Sequence, residues 1–279
     1  MITASQQNYI SGHAYIPEHI PRYVTAISQA EPFLFGDFLG YAKKGHFTFV
    51  GYPLKEPFEE NRLRSALEDG IRRLHPESVS LSAPFVPSSI NDRMHPPSDH
   101  YYRLDLSAIS ISQKLRNMLK RADRELSVER SNTFDEEHRK MIAEFLKTHP
   151  VGEETGFIFN KINEYLSSSP TAWVFDARNK RRELVAFDIA EFKPRDYSIY
   201  MFNFSSDALY VPGASDLLLS EVIKQAKTES KKYINLGLGI NTGVTFFKKK
   251  WGGVPFLPYA SCFYHPQRKE NLDALLQKL

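Results

Sequence analysis

The sequence has little cysteine and no long apolar run. Its 279 residues include one cysteine, Cys262, which excludes a disulfide framework within the chain. No stretch approaches the ~18 consecutive apolar residues that a membrane-spanning helix needs. The first residues do not combine a basic region with an apolar run, so we expect no signal peptide. Together these absences favour a cytoplasmic protein without a transmembrane segment.

Charge of one sign is also scarce. The chain carries 36 Lys and Arg against 33 Asp and Glu, a formal net charge of +3, and 42% of its residues are hydrophobic. These values are typical of a folded globular protein and exclude a disordered chain. Residues 1–110 hold 10 basic and 12 acidic side chains, and residues 111–279 hold 26 and 21. The basic second half suits an anionic ligand such as a nucleotide, CoA or RNA, or is simply a solvated surface.

Several familiar catalytic and metal-binding motifs are missing. The sequence contains no G-x-S-x-G, Walker loop, H-E-x-x-H or C-x-x-C. His95, Asp99 and His100 lie in a proline-rich segment without a third anchored ligand, so we expect no metal site. The glycines at 237, 239 and 243 differ by one residue from the spacing of a dinucleotide-binding loop. The chemistry must therefore lie elsewhere.

The first half of the chain contains one strand-helix-strand pattern. Aromatic and β-branched residues predict a strand over His46–Leu54, and apolar residues three and four apart predict a helix that opens at Pro57. Glu77–Leu81 has the pattern of a second strand. We expect residues 1–40 to be irregular apart from one short helix, and residues 84–100 to form a loop.

The second half contains a longer series of strands and helices. The predicted strands are Tyr101–Leu106, Leu126–Arg130, Thr171–Ala177, Glu183–Phe192, Tyr197–Ser205, Tyr233–Leu238 and Pro255–His265. Helices are predicted over 112–125, 243–252 and 271–279, and three more carry the apolar residues within 141–146, 157–166 and 217–226, the first of which ends at Pro150 and Gly152. Thr133, three residues before Glu136, has the spacing of a capping box. Short polar joins predict that the third, fourth and fifth strands are antiparallel neighbours. A strand-helix-strand run from Tyr197 to Leu238 predicts a parallel pair. The predicted fold class is therefore α/β (α+β) with a mixed sheet.

The segment Tyr210–Asp216 stands between a strand and an apolar helix. Gly213 permits a tight turn, and the following helix N-terminus offers unpaired N–H groups and a positive dipole end to phosphate oxygens. The alternative is an ordinary helix start with Ser215 or Asp216 as its cap. Asp216 at this end would also repel an anion.

One lysine near the end of the chain is set apart by its helical phase. If residues 243–252 are helical, Val244, Phe247 and Trp251 fall within an arc of about 60°. Lys248 lies beside that arc, whereas Lys249 and Lys250 point elsewhere. Lys248 is therefore directed either into a cleft between helix and sheet or along the surface to water.

Two sets of residues resemble one family. The first set is Pro212-Gly-Ala-Ser-Asp-Leu-Leu-Leu, then Tyr233-Ile-Asn-Leu-Gly, Asn241 and Phe247-Lys248-x-x-Trp251-Gly252. It resembles the GNAT (N-acetyltransferase-like) domain of the Fem type, and in particular the C-terminal domain of phosphatidylglycerol lysyltransferases. The second set, Arg103-Leu-Asp-Leu and the basic run from Lys114 to Leu126, resembles the linker between the two GNAT-like halves of those proteins. The resemblance covers residues 100–265 well and residues 30–100 in outline.

This resemblance implies a tandem GNAT fold. We expect an N-terminal GNAT-like half over residues 1–104 and a C-terminal acyltransferase half over residues 105–279. Two mixed β-sheets flanked by helices would lie side by side and pack around a cleft. The family also implies transfer of an acyl or aminoacyl group from a thioester or a charged tRNA to an amine or a hydroxyl.

The resemblance also implies roles for individual residues. In GNAT domains two parallel strands splay apart, and the first strand and the next helix N-terminus hold the pantetheine and pyrophosphate of CoA. The residues expected to bind CoA or acyl-CoA in this way are Asn203, Phe204, Ser205, Ser206, Gly213, Ala214, Ser215, Asn235 and Asn241. Lys248 matches the lysine that offsets negative charge near the reacting carbonyl. Asp207 and Tyr200 are candidates for the general base from their position alone.

The sequence therefore predicts an acyltransferase that uses acyl-CoA and no metal, with a small-molecule or peptide acceptor. It departs from the family in lacking the usual GNAT pyrophosphate loop, Q/R-x-x-G-x-G/A, which leaves room for an aminoacyl-tRNA donor. Two alternatives follow. One is a Fem-like transferase that depends on aminoacyl-tRNA, and the other is a non-catalytic GNAT-fold module that binds a ligand or a protein.

Overall fold

Helices and strands are interspersed along the whole described chain. A computed structural model describes residues 2–55, 57–86 and 98–266. Its helices are α1 (Ala4–His13), α2 (Pro21–Ser28), α3 (Glu60–Leu74), α4 (Gln113–Glu125), α5 (Glu136–Thr148), α6 (Glu153–Asn160), α7 (Ile162–Ser168), α8 (Ala214–Thr228) and α9 (Thr242–Lys250), with a 3₁₀-helix at Pro17–His19. Its strands are β1 (Glu31–Phe35), β2 (Phe38–Lys43), β3 (His46–Val50), β4 (Ser78–Ala83), β5 (Asp99–Asp105), β6 (Leu126–Ser131), β7 (Ala172–Asn179), β8 (Leu184–Glu191), β9 (Tyr197–Ser205), β10 (Tyr233–Leu238) and β11 (Val254–Tyr264). The expected helix over 271–279 and most of the expected loop over 84–100 lie outside the described residues.

All strands of the described residues join one mixed sheet. Their order is β1-β2-β3-β4-β11-β5-β10-β9-β8-β7-β6. The mixed α/β class is confirmed, but the expectation of two sheets is wrong. The physical reason is β11, which is long enough to serve two partners. Its residues from Val254 to Tyr259 pair with β5, and those from Ala260 to Tyr264 pair with β4.

Each half of the sheet contains one parallel pair with a helical crossover. β3 and β4 are parallel and joined through α3, and β9 and β10 are parallel and joined through α8. The predicted antiparallel series is also confirmed, because β7 pairs with β8 and β8 with β9 in that sense. β5 lies between β11 and β10, on the side of the later strands. The proposed boundary between residues 104 and 105 stays a prediction.

Helices cover both faces of the later strands. Ala186 and Ala190 of β8 pack in a core with residues of α4 and α8, and Phe187 and Ile189 pack in a core with residues of α5 and α7. Every residue of β8 is buried. Such a strand has apolar side chains on both faces, as expected when helices cover both sides of a sheet.

The first 40 residues are more ordered than expected. Two helices, the 3₁₀-helix and a hairpin of β1 and β2 occupy them. The hairpin pairs Phe35 with Phe38 across Gly36 and Asp37, and Gly36 has a φ of +61°. A glycine beside an aspartate between two apolar runs is a hairpin signal, because such a turn requires positive φ. Prolines and aromatic residues obscured that signal.

Local details of the helix α5 region also differ from expectation. The capping box is formed by Asp135 and His138, not by Thr133 and Glu136. The single helix expected over 157–166 is two helices, α6 and α7, separated at Lys161. Both differences concern where helices begin and end. The apolar residues of a helix determine the face that it buries, whereas its ends can move by a few residues.

The helical glycine Gly70 gives a test of packing in the first half of the sheet. A Cβ at Gly70 of α3 would lie 2.7 Å from the ring of fully buried Phe47. Overpacking costs about 1–3 kcal/mol, and the gain in helix propensity is at most about 1 kcal/mol. We expect Gly70→Ala to lower the free energy of unfolding by about 1 kcal/mol, measured by urea denaturation.

Gly156 of α6 is the matched control, since a Cβ there would lie 3.9 Å from Val151. Gly156→Ala should raise the free energy of unfolding by about 0.5–1 kcal/mol through helix propensity. Equal stabilisation by both substitutions would show that Phe47 does not restrict residue 70.

Candidate functional site

The parallel strands β9 and β10 separate partway along their length. Their pairing covers Tyr197–Ile199 against Tyr233–Asn235 and then stops, although β9 continues to Ser205. At the same point the pairing of β10 with β5 is interrupted between Asn235 and Leu238, and Gly237 has a φ of +76°. A wedge-shaped gap therefore opens between β9 and the end of β10.

Asn235 fixes the place where the gap begins. Its side-chain amide donates to the carbonyl oxygen of Tyr15 at 2.7 Å and accepts from the N–H of Gly237 at 2.7 Å. The side chain is completely buried. The structure thus places Asn235 as a support of the gap, with its amide oxygen and nitrogen both bonded to the chain's own backbone.

The N-terminus of α8 faces the same region. Gly213 is its N-cap residue with a φ of +87°, and no side chain caps the helix. The alternative in which Ser215 or Asp216 caps it is therefore wrong. Ser215 instead donates its hydroxyl to the Asn203 amide oxygen at 3.3 Å, which links the helix start to β9.

A cavity of about 210 Å³ lies where these elements meet. It is lined by Val185, Ser205, Ser206, Tyr210, Val211, Gly213, Ala214, Ser215, Asp216, Phe247 and Lys250. Five of the nine residues expected to bind the cofactor are in this lining. The end of β9, the start of α8 and one face of α9 therefore form one concave surface.

An ion pair joins the start of α8 to the end of α9. The ammonium of Lys250 lies 2.7 Å from the carboxylate of Asp216, which also accepts from the indole N–H of Trp251 at 2.9 Å. Asp216 and Trp251 are both buried. The expectation that Lys250 points away from the site is wrong, whereas Lys249 is exposed as expected. The negative charge of Asp216 is therefore balanced within the chain.

Lys248 is buried on the other side of the gap. Its side chain is 3% exposed, its ammonium donates to the carbonyl oxygen of Leu238, and the ring centroid of Tyr102 lies 5.8 Å away. Burial lowers the pKa of Lys248 to about 8, and the charge of Asp99 opposes that shift. The angular argument from the sequence is confirmed in that Lys248, alone of the three consecutive lysines, is buried.

A buried carboxyl group beneath the cavity was missed in the sequence. Asp188 of β8 is completely buried and accepts from the Asn203 side-chain amide at 2.6 Å. Burial raises the pKa of Asp188 to about 8, and the phenol of Tyr200 faces it with a pKa raised well above its ordinary value, again by burial. An aspartate within the otherwise apolar run Leu184–Ala190 was the signal that could have found it.

The remaining candidates lie at the edges of the site. Phe204 is 2% exposed and packs into the core on the opposite face of β9, so its backbone alone faces the gap. Asp207 follows β9 and is exposed. Asn241 caps α9 by accepting from the N–H of Val244 at 2.9 Å. These three residues, which the sequence analysis assigned to one site, therefore have different surroundings in the structure.

Two further properties bear on the kind of site. Within residues 2–55, 57–86 and 98–266, no group of three or more His, Cys, Asp or Glu side chains is placed to hold a metal ion. Over the same residues, no helix combines the length and the apolar character needed to span a bilayer.

Comparison with known proteins identifies the fold. No family model and no curated protein matches the sequence. Among solved structures, L-PGS from Bacillus licheniformis superposes with a TM-score of 0.61 at 13% identity, covering 99% of this chain and 96% of that one. FemX gives 0.63 at 11% identity over 100% and 98%. A tandem GNAT protein from the clavulanic acid biosynthesis pathway gives 0.54 at 7% identity over 95% of each chain. The chain therefore shares the GNAT-like fold of these solved structures over nearly its whole length.

The Asp216 contacts predict a measurable contribution to stability. Asp216→Ala removes the acceptor of the buried Trp251 indole and the partner of Lys250. Hydrogen bonds to a charged group contribute about 1.5–3 kcal/mol, and Lys250 can turn to water. We expect the free energy of unfolding to fall by about 2–3 kcal/mol in thermal or urea unfolding. Asp207→Ala, at an exposed aspartate, should change it by less than about 0.5 kcal/mol. Equal changes in the free energy of unfolding for the two variants would show that the contacts of Asp216 do not stabilise the fold.

Proposed function

We propose that this protein is an acyltransferase that moves an acyl group from acyl-CoA to an amine or hydroxyl of a small molecule or peptide. The observation that carries the proposal is the gap between β9 and β10, together with the cavity at the uncapped start of α8. The fold shared with the tandem GNAT protein supports the same reaction class. The donor would enter along β9 and place its thioester at the gap.

The start of α8 has the electrostatics to bind the donor's pyrophosphate. No side chain caps the first N–H groups of this helix, and the positive end of the helix dipole lies there. Ser215 and Lys250 line the same cavity. Because Lys250 balances Asp216, an anion in this cavity would not meet an isolated negative charge.

The unpaired edge of β9 suits the pantetheine arm. From Tyr200 to Ser205 the strand has no parallel neighbour on the β10 side. An extended ligand with amide groups can pair with such an edge as an added strand would. Asn203 and Ser205 are exposed along it, whereas Phe204 contributes backbone only.

Lys248 is the proposed source of positive charge for the reaction. The acceptor nitrogen or oxygen attacks the thioester carbonyl, the new bond to carbon forms, and the C–S bond breaks. The sulfur leaves as a thiolate; a base takes the proton that the acceptor releases, and a proton donor supplies one to the thiolate, so that the proton count is unchanged. An ammonium has three donors, and Leu238 uses one of them on Lys248. The others are available to the carbonyl oxygen as it gains negative charge.

The two candidate acid–base residues differ in setting. Tyr200 is buried beside Asp188 with a raised pKa, so its phenol stays protonated at neutral pH and fits a proton donor. Asp207 is exposed at the end of β9 and keeps access to an entering acceptor. We assign the base role to Asp207 and a donor role to Tyr200.

CoA binding to the intact protein tests the donor assignment. Gly213→Ala forces a strained backbone and places a Cβ 2.8 Å from Met118, which should displace the N–H groups of Ala214 and Ser215. We expect CoA to bind the original protein in isothermal titration calorimetry and the variant to bind about 10- to 100-fold more weakly, since losing one charged hydrogen bond costs about 1.5–3 kcal/mol.

Gly152→Ala is the control, because a Cβ there meets nothing within 4 Å and its φ is −62°. Equal affinity in a folded Gly213→Ala protein would place the phosphates elsewhere. If CoA does not bind but a charged tRNA does, with affinity falling steeply as salt rises, the donor is an aminoacyl-tRNA.

Paired lysine substitutions test the charge at the reacting end. Lys248→Met keeps most of the packing of the stem, and we expect kcat to fall by about 10²–10³ because one stabilising donor is lost. Lys249→Met removes the same unit of charge from an exposed side chain and should leave kcat unchanged. Activity would be measured as CoA release with a panel of amine acceptors. Similar kcat values for both variants would deny Lys248 a role in the reaction.

A further inference from the structure

A carboxylate from β5 holds the turn that precedes α9. Asp99, the first residue of β5, accepts from the N–H of Gly239 at 3.0 Å with one oxygen and from the N–H of Ile240 at 2.7 Å with the other. The first oxygen also accepts from the N–H of His100 at 2.6 Å. Residues 239 and 240 are therefore fastened to a strand about 140 positions earlier in the chain.

The same turn binds the ammonium of Lys248. The carbonyl of Leu238, which accepts from Lys248, and the N–H of Gly239, which donates to Asp99, belong to one peptide group. A peptide group is planar and carries its positive end at N–H and its negative end at C=O. Here the Asp99 carboxylate and the carbonyl oxygen of His100, at 3.1 Å, both accept from the N–H at the positive end, and the ammonium meets the negative end. The two charges are thus joined through a single peptide.

We propose that Asp99 is a positioning residue for Lys248, and that the two side chains form an ion pair bridged by the Leu238–Gly239 peptide. Asp99 helps to fix the peptide, and the peptide fixes the buried ammonium beside the end of β10, beyond the point where the pairing of β10 with β9 stops. The reactive role of Lys248 in this inference rests on the proposed function, whereas the bridge itself does not.

The bridge favours the charged form of Lys248. Burial favours the neutral form of Lys248 and lowers its pKa to about 8, and the charge of Asp99 acts in the opposite direction. Of the groups around this ammonium, Tyr102 of β5 presents its ring, Leu238 of β10 presents a carbonyl, and Asp99 is the charged group that acts on it. Without Asp99, a larger share of Lys248 would be uncharged near neutral pH, and an uncharged amine stabilises an oxyanion poorly.

Gly239 is required for the bridge by space. A Cβ at this position would lie 2.5 Å from the carboxylate oxygen of Asp99 and 3.2 Å from the hydroxyl of Thr245. Any side chain there must push the carboxylate away from the peptide. Gly239→Ala therefore breaks the bridge while it leaves both charged residues in the chain.

The titration of Lys248 in the intact protein provides the test. Lysine side chains labelled with ¹³C at Cε are followed by NMR against pH, and the Lys248 signal is assigned by its loss in Lys248→Met. The backbone amide of Gly239 is followed in ¹⁵N spectra of the same unmutated protein. We expect the amide of Gly239 to shift with the same midpoint as the Lys248 signal. An amide that does not respond to the Lys248 titration would overturn the bridge without any mutation.

Two variants and a control measure the size of the coupling. Asp99→Asn should move the Lys248 midpoint down by about one pH unit, because loss of the carboxylate disfavours the ammonium. Gly239→Ala should move it in the same direction by a smaller amount. Asp105→Asn removes the same charge from the other end of β5 and should leave the midpoint unchanged. An Asp99→Asn protein that is folded and titrates as the original protein does would contradict the proposal.

Activity separates this inference from the proposed function. If the protein transfers acyl groups, Asp99→Asn should lower kcat more than it raises KM, and the alkaline limb of the kcat profile should move to lower pH with the Lys248 midpoint. A coupled titration in a protein that neither binds CoA nor transfers an acyl group would leave the bridge standing and reject the acyltransferase. Acyl transfer whose alkaline limb is unaffected by Asp99→Asn would support the acyltransferase and reject the bridge.

Discussion

The site depends on one limit in the sheet: β9 and β10 can pair as parallel neighbours for three residue pairs and no further. Asn235 enforces this limit, since its amide bonds Gly237 within its own strand and Tyr15 from the first segment of the chain. A strand that bulges at Gly237 does not continue its ladder with β9. The polar groups of β9 beyond that point are left to other partners, as backbone groups in a fold must find them.

The first half of the sheet shows what happens without such a limit. β3 and β4 pair in parallel over five residue pairs, and the N–H of Gly51 then bonds the carbonyl oxygen of Ser82 at 2.7 Å, just beyond the last pair. A Cβ at Gly51 would lie 2.6 Å from Ala83, so this pair has closed completely. The two halves repeat the same strand-helix-strand plan, yet the described residues open a gap between parallel strands in the second half. One half thus supports the sheet while the other carries the site.

Local patterns in the sequence predicted most of the second half. The strand at Tyr233–Leu238 agrees with its prediction to the residue, and the helical phase of Lys248 separated it from Lys249 and Lys250, although the structure was needed to choose burial over a path to water. Contacts between distant segments could not be found in this way. Asp99 reaches Gly239, and Lys250 reaches Asp216, because the fold brings them together, and spacing along one helix carries no information about either pair. The continuity of the sheet was missed for the same reason, since the length of Val254–Tyr264 permits two partners but does not say which strands they are.

The divided pairing of β11 has a consequence for how the molecule assembles. β4 and β5 both remain exposed edges until a strand that lies some 150 residues further along the chain inserts between them. Contacts across such a separation form slowly, because the entropy cost of closing a long loop precedes the favourable free energy of the contacts. Before β11 inserts, the backbone N–H and C=O groups of β4 and β5 along the slot have no strand partner on that side. If β11 of a second molecule filled the slot, every pairing of the monomer would be preserved, so the strand that unites the two halves of one chain is also one through which two chains could be linked by domain swapping.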